Sequence, residues 1–70
     1  MSTNNQLVII EKEDKFYIYE NYCVDNYFVP SEHNLHIIKK EIRHAINWCE
    51  SYMKNNIVEY NYIIRLKEDA

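Results

Sequence analysis

Between Ser31 and Leu66 an amphipathic helical pattern, two asparagines and a long alternating pattern follow one another directly. On a helical wheel Leu35, Ile38, Ile42, Ala45, Ile46, Cys49, Tyr52 and Met53 fall within one arc of about 120°. Past Asn55 and Asn56, the residues Val58, Tyr60, Tyr62, Ile64 and Leu66 alternate with Ile57, Glu59, Asn61, Ile63, Arg65 and Lys67. That is the period of a half-buried strand. A helix of about 23 residues rises about 35 Å, and a strand of about 11 residues spans about 36 Å. The pattern therefore predicts a helix from Ser31 to about Lys54 and a strand that runs back along it.

Upstream, Gln6–Lys12 and Lys15–Asn21 read as two strands joined by a tight Glu13-Asp14 turn. Tyr22–Val29 is aromatic and β-branched and reads as a short third strand, ended by Pro30. Ser31 stands at the helix N-cap position, with Asn34 as the competing cap and Glu32 favourable in the first turn. Residues 1–5 read as a frayed tail. The chain contains no glycine, so positive φ is expected at Asn or Asp, with Asn55 or Asn56 as a left-handed helix terminator. The order β-β-(β)-α-β predicts an α+β fold. One small domain over residues 1–70 would form an antiparallel sheet of three to four strands, with one long helix packed on one face.

Apolar residues make up 47% of the chain, too many for a disordered segment. A core in 70 residues rarely supplies more than about 3–5 kcal/mol of net stability, which favours a homodimer or a tight partner. The net charge of −3 argues against direct binding to nucleic acid, whose partners carry a basic footprint. It suits a protein target with a basic surface. Cys23 and Cys49 make neither a disulfide framework nor a metal-type spacing. No signal-peptide pattern and no apolar span are visible, so a cytoplasmic location without membrane contact is expected.

The surface candidates are aromatic and acidic. Tyr17 and Tyr19 point away from Phe16 and Ile18, and tyrosine is favoured at interfaces because it joins an apolar body to a polar tip. Ordinary cross-strand aromatic pairing is the competing explanation. Glu11, Glu13, Asp14, Glu20 and Asp25 would steer the chain toward a basic groove. Ile37, His44 and Trp48 cluster on a flank of the predicted helix, either as a contact seam or under a twisted sheet. Lys39, Lys40, Arg43 and Lys54 form a mildly basic helix face that could touch phosphate or simply stay solvated. His33 and His36 lack a convincing third metal ligand. Cys49 lies in the apolar arc, where a thiol behaves as a small hydrophobe, and the exposed acids lack the walls of a pocket. No enzyme, no cofactor and no metal is expected.

The hairpin from Leu7 to Ile18, the extended stretch to Val29, and Leu35, Ile38, Ile42, Ala45 and Ile46 together resemble the N-terminal domain of HicB-type antitoxins. The chain departs from that pattern in having no glycine and no Pro-Gly-Cys segment before the helix. The resemblance implies a module that binds and blocks a small RNA-cleaving toxin and often dimerises; it assigns no individual residue. Sequence and resemblance together point to a non-enzymatic inhibitor, antitoxin-like or a phage-encoded antagonist of a host defence or nucleic-acid-processing enzyme. The rival is a small dimeric nucleic-acid-binding regulator that uses the basic helix face. Replacing Ile42 by Asp is expected to unfold the domain, because a charge would enter the apolar arc; a thermal melt checks it.

Overall fold

Alternation and a two-residue turn place the first hairpin. In a computed structural model, which describes residues 5–22 and 28–65, β1 (Gln6–Lys12) and β2 (Lys15–Asn21) pair antiparallel. Ile9 lies opposite Ile18, and Lys12 opposite Lys15. A two-residue hairpin of this kind needs positive φ at both turn positions. Glu13 (φ 55°) and Asp14 (φ 61°) adopt it, each at a cost of about 1–2 kcal/mol for a residue with a Cβ. The expectation that Asn or Asp alone would take such positions is corrected by Glu13.

The predicted long helix is two elements. A 3-10 turn (Glu32–Asn34) leads into β3 (Leu35–Lys39), and α1 runs only from Ile42 to Asn55. Leu35 and Ile38 fit the helical arc by spacing, yet Ile37 and Ile38 are β-branched and suit a pleated surface. Pairing with β2 decides the matter: Phe16 lies opposite Lys39, Tyr17 opposite Ile38 and Ile18 opposite Ile37. Ser31 precedes the 3-10 turn, where its hydroxyl donates to Asn34 Oδ1 at 2.5 Å, and Glu41 occupies the N-cap of α1. The helix does not end on a left-handed asparagine, since Asn56 has φ −137°. Instead the side chains of Asn55 and Asn56 donate to the carbonyls of Ser51 and Tyr52, the second of which is among the acceptors that a helix end leaves free.

The last strand is shorter than its pattern. β4 covers Ile63–Arg65, while Leu66 and Lys67 lie outside the described residues. The sheet has the order β3-β2-β1-β4, and β4 runs parallel to β1. It is therefore a mixed sheet, not the antiparallel one expected. Because β3 takes the first part of the predicted helix, the chain passes through a β-α-β crossover, which returns a parallel strand. Most of the third strand expected over Tyr22–Val29 lies outside the described residues, and Tyr22, Phe28 and Val29 are not in a strand.

Two apolar clusters form. Leu7, Ile9 and Ile18 are buried with Ala45 and Cys49 of α1. Val8 and Tyr19 are buried with Phe28. Alternation along β1 and β2 puts these clusters on opposite sides of the sheet, hereafter the Ile18 side and the Tyr19 side. Among the described residues, no helix is long and apolar enough to cross a membrane. Replacing Glu13 by Asn and Asp14 by Gly is expected to raise stability by about 1 kcal/mol, since both residues tolerate positive φ. Denaturant unfolding measures it.

Candidate functional site

On β2 the inward positions read Phe16, Ile18, Glu20, so a carboxylate occupies a place meant for an apolar side chain. Glu20 is 4% exposed. Its Oε2 accepts from Asn5 Nδ2 at 2.6 Å, and its Oε1 from His36 Nε2 at 2.8 Å and Tyr52 Oη at 3.0 Å. An ionised carboxylate only accepts, so all three partners donate. Burial pushes the Glu20 carboxyl up, but the hydrogen bonds from Asn5, His36 and Tyr52, with the His36 charge, hold it below its ordinary value.

Each donor arrives from a different part of the chain. Asn5, expected in a frayed tail, is buried. Besides Glu20 it donates to the Ile57 carbonyl, while its Oδ1 accepts from the Glu59 amide and its own carbonyl from the Tyr60 amide. His36 reaches the Ile18 side through a β-bulge: Ile18 faces Ile37 but Tyr19 faces Leu35, which leaves His36 as the extra residue. In regular register His36 would point with Tyr19. Trp48 and Tyr52, one turn apart on α1, stack at 5.1 Å, with the His36 ring 5.4 and 4.9 Å from them. Burial, the hydrogen bond to Glu20 and its charge push the Tyr52 phenol up to about 12. Burial, then the Glu20 charge, raises Tyr22 above its ordinary value. Burial, then Glu50, pushes the Cys49 thiol up to about 11, which keeps it protonated and unreactive. The cluster holds the Glu20 carboxylate inside the fold.

The residues predicted to bind a partner are dispersed. Glu20 is internal, and Asp25 lies outside the described residues. Glu13 and Asp14 are exposed at the turn and Glu11 is half-buried, with Lys12 and Lys15 among them. Ile37 belongs to β3 and packs on the Ile18 side, so it forms no helix stripe with His44 and Trp48. His44 is exposed on α1, and Trp48 is half-buried against His36 and Tyr52. The basic helix face also divides: Lys39 is on β3, and Arg43 sits 3.5 Å from Glu41. Tyr19 is 7% exposed, covered edge-on by Phe28 at 6.1 Å. Tyr17 remains half-buried. Among the described residues, no three of His, Cys, Asp and Glu group to hold a metal ion.

Among the described residues, what stays open is a row across the Tyr19 side of the sheet. Ile38, Tyr17, Ile10 and Arg65 are successive partners through all four strands. At about 4.8 Å per strand the row is about 14 Å wide. The next row, Leu35, Tyr19, Val8 and Ile63, lies by Phe28. The Lys12 ammonium lies 5.4 Å over the Tyr17 ring, and the Arg65 guanidinium 6.0 Å over Phe28. Lys15 lies opposite Lys12. The strand acids face away, since Glu11 pairs with Phe16 and Glu20 with Leu7, both of the Ile18 side.

Replacing Glu20 by Ala is expected to cost about 1–3 kcal/mol, because the buried Asn5 amide and the part-buried His36 and Tyr52 donors lose their acceptor. The folded-state value of Glu20 is depressed, so its contribution is fully present above the ordinary glutamate value of 4.5. It is lost as pH falls through the lower folded-state value. Thermal melts from neutral pH to below 4.5 should show this acid loss, and Glu20→Gln should diminish it. No protein-family model, curated protein or solved structure matches this chain.

Proposed function

We propose that the chain is a small non-enzymatic binding protein that inhibits or antagonises another macromolecule by laying the open row of its sheet against it. The observation that carries this reading is the contrast between two adjacent rows. Phe28 covers Tyr19 and Val8, while Tyr17 stays half-exposed between Ile10 and Ile38, and Ile38 is 42% exposed. A half-open aromatic flanked by aliphatic side chains is the kind of surface that anchors protein contacts. The helix is read as packed on the Ile18 side, supported by the shared burial of Ala45 and Cys49 with Ile18; the Tyr19 side is then left for a partner. Small size and the resemblance of the hairpin and helix support an antitoxin-like form of this role, or that of a phage-encoded antagonist of a host enzyme. Interior placement of Glu20 and the division of the basic helix face both move the weight of the reading onto the sheet.

A tagged chain passed through host lysate, with half the sample nuclease-treated, tests the class. One stoichiometric protein that survives nuclease supports it, and recovery only without nuclease favours the nucleic-acid regulator. Tyr17→Ala is expected to melt within about 1 kcal/mol of the native chain and to lose that protein. Tyr19→Ala is expected to destabilise by about 3–5 kcal/mol, as truncation of a buried ring does. Capture retained by Tyr17→Ala would move the contact to Trp48 and His44.

A further inference from the structure

The net charge of the chain is negative, yet its strands divide their charges by side. On the Tyr19 side the strand residues carry Lys12, Lys15 and Arg65 and no acid, while Glu11 and Glu20 belong to the Ile18 side. Lys12 and Arg65 already rest over aromatic rings of this side. The open row therefore joins an apolar and aromatic floor to strand cations at its borders, with the acids of that border, Glu13 and Asp14, confined to the turn beyond Lys12 and Lys15. From this we infer that the row takes an acidic segment of a partner protein that carries an apolar side chain. This inference rests on the binding-protein reading and reverses the sign of the partner surface that net charge alone suggests.

Both halves of the ligand follow from the row. Ile38, Tyr17 and Ile10 form the floor for an aliphatic or aromatic anchor, which gains by leaving water. Carboxylates beside that anchor meet Lys12 and Lys15 at one border and Arg65 at the end. At a half-desolvated rim such pairs act mainly on orientation and association rate. A single-stranded nucleic acid would share the need for cations and a flat ring. The floor, however, holds two aliphatic side chains and one ring, and an ammonium lies over that ring. Stacking platforms offer successive aromatic faces to successive bases, and the neighbouring Tyr19 is buried under Phe28.

The test is an amide-shift titration of the isotopically labelled full chain with three probes. They are a short synthetic peptide with Leu at its centre flanked by Glu and Asp, the same peptide with Lys for each acid, and oligothymidylate. The acidic peptide should move the amides of Ile10, Tyr17, Ile38 and Arg65 saturably, and the Lys peptide should not. Lys12→Gln with Lys15→Gln, both exposed positions, should keep a dispersed spectrum and bind the peptide about tenfold more weakly. Several results overturn the inference: oligothymidylate moving the row at lower concentration, shifts that follow protein concentration alone and so report a second copy, or peptide shifts that gather around Trp48 or are absent. Those outcomes, with capture of a nuclease-resistant protein intact, remove the acidic segment and leave the binding-protein reading standing. Loss of that capture removes the reading itself.

Discussion

A single buried carboxylate organises this fold. Leaving Glu20 inside without partners would be costly, and the chain answers with donors from three places far apart in sequence. Asn5 ties the entry of β1 to the segment 57–60, His36 fixes the bulge of β3, and Tyr52 fixes the rotation of α1. A methyl-rich side chain at the same place would pack on Leu7 and Ile18 but would not select which helix face, or which phase of β3, comes next to it. Buried charge pairs often add little net stability compared with apolar replacements. For this chain the value of Glu20 lies in the arrangement it specifies.

The bulge has an effect on both sides of the sheet. It turns His36 toward the ring pair Trp48 and Tyr52, and it places Leu35 opposite Tyr19 on the other side, while Ile38 keeps its place opposite Tyr17. Thus one extra residue lets the polar network form on one side while the open row keeps its register on the other. Above and below the sheet the chain then presents different chemistry. One side closes over a negative charge with aromatic rings, and the other leaves aliphatic and aromatic groups half-open beside cations.

Local physics made part of this legible. The hairpin follows from period-two alternation and a two-residue turn, both properties of adjacent residues, and its limits agree residue for residue. The helix from Ile42 onward follows from 3.6-residue periodicity. Residues Leu35–Lys39 defeated that argument because Leu35 and Ile38 satisfy the wheel while Ile37 and Ile38 satisfy a strand, and only the distant β2 chooses between them. The same non-local choice made β4 parallel. Glu20 left a readable trace, a charge in phase with Phe16 and Ile18, but its net-charge context suggested a steering role at the surface. The open row needed the cross-strand register, because Ile38, Tyr17, Ile10 and Arg65 have no spacing in sequence that relates them.

The modest size of β4 has a consequence for how the sheet breathes. Among the described residues it meets β1 over three parallel positions, Val8 with Ile63, Ile9 with Ile64 and Ile10 with Arg65, whereas β1 and β2 share seven antiparallel ones. Sub-global opening follows the smallest cooperative unit, so β4 is the strand that detaches first while the hairpin stays closed. Amide protons of Ile63–Arg65 should then exchange with solvent ahead of those of Ile9 and Ile18. Each opening uncovers the free edge of β1 along an apolar stretch, a template for pairing with another chain. The weakest seam of the sheet is therefore also where its solubility is decided.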